Sequence, residues 1–391
     1  MKLEGLKVLD LSLFLPGPAV SLMMADHGAE VIKIENPKAP EPTRFKQFFP
    51  WVQGDWTVMF RTTQRGKKGL TLNLKDPAAK EILMKLVKEA DVFLESFRPG
   101  VMKRLGIDYE TLRAVNPGIV YCSMSAFGQD GPWRDRPAHD TAAVAASGVL
   151  SLSRSPEGDS GPAMLGVASS DMLSSHLAFG GIMMALYRRQ QTGEGDYVDI
   201  SMFESMLNAS PNILGPVFAG GQAPERLKER THGGNAMLNI YQLNDGSYLA
   251  LGGGEHKFVE ELFNGLERPE FIEPVTGPAG EGHWPAIEFL REAFRTKSRA
   301  EWEAWFEGRD ICWMPVMDLE EAWDTPHVWE REMRIKDPQG NDHMGIPIKF
   351  KNEPGRVNFD LPKHGEHSAE ILEGLGYSAD DVAALKDSGA I

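Results

Sequence analysis

The chain has 391 residues, 42% of them hydrophobic and 25% charged, which describes a globular protein able to bury a sizeable core in one large domain with a smaller partner, or in two domains. A formal net charge of -15 argues against nucleic acid or an anionic membrane surface as the main partner, and any anionic ligand would need a local basic pocket. Two distant cysteines, Cys122 and Cys312, argue against a disulfide framework or a metal site, and with no leader pattern in MKLEGLKVLDLS and no apolar run of ~18 residues the expectation is a cytoplasmic protein without membrane spans.

In chain order, LKVLDLS reads as a buried strand, LPGP as a turn, AVSLMMADHGAE as a helix and VIKIE as a second strand, together a β-α-β unit with a parallel pair. The turn after the first strand lacks GxGxxG, so a dinucleotide is not expected there. Residues 37–60, rich in Pro, Phe and Trp, read as a long loop. QRGKKGLTLNL is a basic turn leading into a strand, and DPAAKEILMKLVKEADVFLE gives a helix and another strand. The next segment, ESFRPGVMKRLGIDYETLRAVNPGIVYCSMSAFGQDGPW, adds a Pro-Gly turn, a short helix, a further strand and a loop. Arg61, Lys67, Lys68, Arg98 and Arg104 are the cations from which a pocket for a multiply phosphorylated ligand could be assembled; each alone is equally well a solvated surface charge.

Asp171 lies among small residues just ahead of a helix-like run, LAFGGIMMALYRR, and upstream stand His139 and Asp140. Taken alone, Asp171 reads as a helix N-cap and His139 as an ordinary hydrogen-bonded histidine; as a pair they are candidates for one site. QTGEGDYVDISMFESML gives a turn, a strand and a helix, and residues 210–232 are irregular. GGNAMLNIYQLNDGSYLALGGGEHKF is a β-hairpin with an Asn-Asp-Gly turn, and it opens a smaller α+β unit with helices at HWPAIEFLREAFRT and SRAEWEAWFEG and a strand at CWMPV. After PHVWEREM the chain is loop-rich until two short terminal helices.

The blocks LKVLDLSLFLPGPAVSLMMADHGAEVIKIENP, RGKKGLTLNLKDP, ESFRPGVMKRLG, NPGIVYCSMSAFGQDGP, RQQTGEGDYVDISMFE and ICWMPVMDLEEAW, in this order, resemble the class III CoA-transferase and α-methylacyl-CoA racemase superfamily (CaiB/BaiF-like) over nearly the whole chain. The resemblance implies an α/β fold: a Rossmann-like large domain, residues 1–225 completed by about 326–391, a small α+β domain, residues 226–325, and a homodimer of interlocked rings. It implies acyl-CoA and carboxylic acid as partners, CoA as substrate rather than a permanently bound cofactor, and no metal. Asp171 matches the family's active-site aspartate, Arg98 and Arg104 match positions that contact CoA phosphates, and Lys67 and Lys68 lie in the block near the nucleotide. Asn36 stands where relatives often carry Arg.

Two chemistries divide this family. In transferases the aspartate attacks the donor thioester, and an aspartyl-CoA thioester then passes CoA to the acceptor acid. In racemases a His and an Asp, here His139 and Asp171, exchange the proton on the carbon beside the thioester. The His139-Asp140 pair, LPGP, and Glu255 at the place of a racemase glutamate favour the racemase; TAA after the pair and SSDMLSSH around Asp171 read more like a transferase, and CoA transfer is the leading expectation. A non-catalytic subunit of a hetero-oligomeric transferase is a third reading, against which the carboxylate at Asp171 counts.

Overall fold

The computed structural model describes residues 1–153 and 161–391. The chain forms two compact units, one of Met1–Val149, Met164–Leu207 and Pro326–Ile391, the other of the described part of Leu150–Ala163 with Asn208–Thr325. The first boundary thus falls before 225, because the chain leaves the first unit once the helix Met202–Asn208 has followed the last strand of its sheet.

The first unit is built on six strands, β1 (Lys7–Asp10), β2 (Glu30–Glu35), β3 (Lys68–Thr71), β4 (Val92–Glu95), β5 (Val120–Ser125) and β6 (Tyr197–Ser201), ordered β3-β2-β1-β4-β5-β6 and all parallel. Strands buried on both faces read as continuous apolar runs, and here successive residues serve opposite layers. Leu9, Ile32, Leu70, Phe93 and Tyr121 pack with Ile82, Leu83 and Leu86 of the helix Pro77–Glu89 and with Leu372 and Val382 of the carboxyl-terminal helices. Val8, Val31, Val92, Val120 and Cys122 face Val20 and Met24 of the helix Pro16–Asp26 and Ala178 and Ile182 of the helix Ser169–Thr192. Each such aliphatic or aromatic side chain, fully buried, contributes about 1.5–3 kcal/mol.

Residues 37–60 are less of a loop than expected, containing a 3-10 turn at Pro42–Arg44, a hairpin of Val52–Gln53 and Trp56–Thr57, and the start of the helix Val58–Gln64. In the second unit, the antiparallel strands Leu238–Gln242, Tyr248–Gly252 and Trp313–Pro315 carry Tyr241, Leu249 and Leu251 into a core with Phe263, Phe294, Trp302 and Phe306. Its helix His256–Gly265 was not expected from the sequence, although Val259, Leu262 and Phe263 have helical spacing and are buried. No helix among the described residues is long and apolar enough to cross a membrane.

Candidate active site

In the first unit the strand order reverses between β1 and β4, which opens a crevice beyond the carboxyl ends of the strands, the place where open parallel sheets take ligands. A cavity of about 660 Å³ lies there. Leu13, Phe14 and Pro16 reach it from the turn after β1, Ser96 to Pro99 from the turn after β4, Met124 to Ala126 from the end of β5, and Met202 from just beyond β6; Arg134, Arg136, His139 and Asp171 complete the wall. Gly17 of the LPGP turn lets the helix Pro16–Asp26 start this close to the strand, since a Cβ there would overlap the side chain of Ser12.

Asp171 is not an N-cap. It sits in the first turn of a 24-residue helix, Ser169–Thr192, whose cap residue Ala168 offers no side-chain acceptor. Asp140 supplies the cap from another element: its Oδ1 accepts from Ser170 N at 2.7 Å, Ser170 Oγ at 2.8 Å and Asp171 N at 3.3 Å. A carboxylate at a helix amino end satisfies free N–H groups and the helix dipole together. The Asp171 carboxylate is thereby released from capping, takes no hydrogen bond from the described residues, and lines the cavity. Burial, with the Asp140 charge beside it, raises the Asp171 carboxyl to about 7. Such a group is a stronger base and nucleophile than an ordinary carboxylate and is still ionised in a large fraction of molecules at neutral pH.

Small side chains let the helix lie close to its neighbours: Ser170, Ser174, Ser175 and Ala178 are buried, and Ser175 Oγ lies 2.7 Å from Pro16 O, in the β1 turn, and from Asp171 O. His139 precedes the short helix Asp140–Ala146 as its cap residue; its backbone carbonyl accepts from Ala142 N at 3.0 Å, and its exposed ring meets the edge of Phe14 at 5.8 Å between centroids. His139 and Asp171 therefore share one cavity.

The cations separate into two groups. Arg98 lines the cavity, and Arg104, exposed, stands one turn further along: the point where Gly100 would carry a Cβ is 3.4 Å from Arg104 Nη1 and 3.8 Å from Arg134 Nη2, so these two guanidinium groups are close. Arg136 stacks 5.1 Å over Trp133, which packs edge-on against Phe127 and Phe203. Arg134 and Arg136 were missed in the sequence, although they stand in the same loop as His139.

Lys67 and Lys68 do not join this group. Lys67 is buried, its ammonium held by Asp10 Oδ2 at 3.3 Å, Pro18 O at 3.0 Å and Gln64 Oε1 at 3.0 Å, with no face left for a soluble ligand. Burial lowers the Lys67 ammonium to about 8 despite Asp10, while Lys33 and Lys67 overcome burial at Asp10 and hold its carboxyl at about 2, so the pair is ionised at neutral pH. Lys68, at the start of edge strand β3, is half-buried between Glu30 at 3.0 Å and Glu370 at 2.9 Å. Arg61 is likewise buried, paired with Asp337 at 2.6 Å. The reason is the same in each case: a carboxylate brought by another part of the chain already occupies the charge.

Glu255 belongs to the second unit, exposed, as the cap residue of the helix His256–Gly265. Among the described residues no three His, Cys, Asp or Glu side chains gather as a metal site.

Residues 3–368 match the model of CoA-transferase family III. The chain is 36% identical to the acetyl-CoA:oxalate CoA-transferase of Acetobacter aceti over 89% of this chain and 88% of that protein, and 29% identical to the human succinyl-CoA:glutarate CoA-transferase over 100% and 90%. It is also 31% identical to the human alpha-methylacyl-CoA racemase, over 100% of this chain and 98% of that protein. The crystal structure of a CAIB/BAIF family protein from Brucella suis superposes with a TM-score of 0.81 at 29% identity, over 95% of this chain and 99% of that one. The match spans nearly the whole chain, and the chain belongs to CoA-transferase family III.

Proposed function

We propose that this protein transfers CoA from an acyl-CoA to a carboxylic acid, with Asp171 as nucleophile. The observation that carries the reading is the Asp171 carboxylate, uncapped and raised to about 7 in a cavity rimmed by arginines. Its oxygen adds to the thioester carbonyl and expels CoA thiolate, leaving an acyl-aspartyl anhydride. The thiolate then attacks the aspartyl carbonyl, releasing the donor acid and forming aspartyl-CoA; the acceptor carboxylate repeats the two steps in reverse order and regenerates Asp171. No proton is gained or lost along this path. Arg98 and Arg104, with Arg134 and Arg136, hold the phosphates of CoA, which enters as substrate, so no resident cofactor is required.

A racemase is the second reading, favoured by the shared cavity of His139 and Asp171 and by the likeness to the human racemase. Glu255 has a role only within that reading. Incubation with an acyl-CoA followed by hydroxylamine or borohydride separates the two: a trapped adduct on Asp171 supports transfer. Deuterium uptake at the α-carbon of a 2-methylacyl-CoA in heavy water, with neither acceptor nor adduct, would replace it by the racemase.

We further infer a homodimer of interlocked chains in the cytoplasm. An apolar stripe on the helix Ser169–Thr192, where Leu177, Met184 and Tyr187 are 41%, 70% and 68% exposed, supports a surface that another chain covers, while the interlocking and the location follow from the family resemblance. A folded monomer on dilution would exclude the interlocked arrangement.

A further inference from the structure

We propose that Phe14 is the specificity-determining wall of the acyl subsite, and that the buried charges under it serve to hold it there; this rests on the reading of the cavity as the place where Asp171 meets an acyl-CoA. Three observations converge. Phe14 has φ +63, the left-handed region that a side chain with a Cβ rarely adopts. The residue is 37% exposed, so the strain is not repaid by burial in the core. The ring instead lines the cavity and meets His139 edge-on at 5.8 Å. A strained residue that gains no packing from its strain points to use at a site.

The conformation is imposed from below. Phe14 N donates to Glu41 Oε1 at 3.0 Å, and Glu41 is fully buried. Lys33, also buried, lies 3.4 Å from Glu41 Oε2 and 3.7 Å from Asp10, and donates to the carbonyl of Ser12. One ammonium therefore ties the carboxylate that holds Phe14 to the start of the turn that carries it. On the far side, Pro16 O lies 2.7 Å from Ser175 Oγ on the helix that bears Asp171. With Leu13, Met124 and Met202 among its apolar neighbours in the cavity wall, the ring sizes an uncharged acyl chain.

The test measures binding of CoA, acetyl-CoA, isobutyryl-CoA and octanoyl-CoA by calorimetry in an Asp171→Asn background, where no turnover occurs, with Phe14 intact or changed to Leu, Ala or Gly. Phe14→Gly relaxes the left-handed backbone and protects the test against a folding defect. The readout is the affinity of each acyl-CoA relative to CoA itself, which a general loosening of the loop does not alter selectively. We expect Phe14→Ala and Phe14→Gly to improve isobutyryl-CoA or octanoyl-CoA relative to acetyl-CoA by about ten-fold or more, the scale of a single methylene in an apolar pocket, with Phe14→Leu between. Unchanged ratios with CoA still bound would overturn the role of Phe14 and leave the Asp171 reading intact. Failure of CoA and of every acyl-CoA to bind the protein with Phe14 intact would overturn both.

Discussion

Replacing Asp171 by Asn removes a charge and keeps the shape, and the structure dictates how stability should respond to pH. In the folded chain burial, aided by Asp140, raises this carboxyl from an ordinary 3.8 to about 7. The unfolded chain releases the proton near its ordinary value, so between about pH 4 and pH 7 the folded state binds more protons, and the stability of the wild-type chain falls as pH rises through that window. At about 1.4 kcal/mol per unit the cost above pH 7 reaches at most about 4 kcal/mol. Partial exposure of the group and the helix amino end, which favours the anion by about 0.3–1 kcal/mol, make this an upper bound. The amide bears no such cost. Thermal unfolding followed by circular dichroism at fixed protein concentration should show equal midpoints near pH 4 and a variant more stable than wild type at pH 8. A variant that is less stable at pH 8, or shifted equally at both pH values, would refute the claim that the carboxylate stands without a partner.

Four further substitutions test the same geometry. Asp140→Asn keeps an acceptor for Ser170 and Asp171 N–H but removes the neighbouring charge, so the ascending limb of kcat/KM against pH should move to lower pH while far-UV dichroism is unchanged. Arg104→Ala should weaken CoA binding roughly ten-fold or more through loss of a charge-assisted contact of ~1.5–3 kcal/mol, whereas Lys68→Ala should leave CoA affinity as it is; calorimetry decides both. Lys67→Met should lower the thermal midpoint by the equivalent of about 3–5 kcal/mol, because Asp10 loses one of its two buried ammonium partners.

The alternation of strands and helices is legible in the sequence because a parallel sheet covered on both faces needs near-continuous apolar runs, and KVLD and EVIKIE supply them. The first turns of the helix Ser169–Thr192 carry cap-like Ser169, Ser170 and Asp171 but no apolar period, since the face they bury is serine and alanine, and hydrophobic period is the signal by which helices are read. Its cap comes from Asp140, a contact between separate elements that no local pattern records. Asp171 reads locally as a cap for that reason. The partners of the lysines are equally hidden. A basic RGKKG turn gives no sign that Lys67 passes beneath the first turn of the fold to Asp10, or that Glu370 from the carboxyl-terminal helices reaches Lys68. Arg98 stands at a Pro-Gly turn after a strand and lines the cavity together with Arg134 and Arg136, which stand in a loop with no such marker, while Arg104 comes close to Arg134 from the following helix.

One raised carboxyl suits either chemistry, since the burial that makes Asp171 more basic also makes it more nucleophilic, and the pH profile is what tells the two apart. Attack on a thioester requires only the carboxylate, and every later exchange passes between carboxylate and thiolate without a proton. Transfer should therefore rise through about pH 7 as Asp171 ionises and then stay level, with the same ascending limb in His139→Gln. Racemisation requires one member of the pair deprotonated and the other protonated at the same moment, so its profile must fall on both sides of an optimum, and His139→Gln must stop it in both stereochemical directions. Pre-steady-state rates of adduct formation and rates of deuterium exchange, each measured from pH 5 to 9, give the two profiles directly. A level transfer profile above pH 7 ties the chemistry to Asp171 alone; a bell-shaped profile lost with His139 would transfer the assignment to the pair.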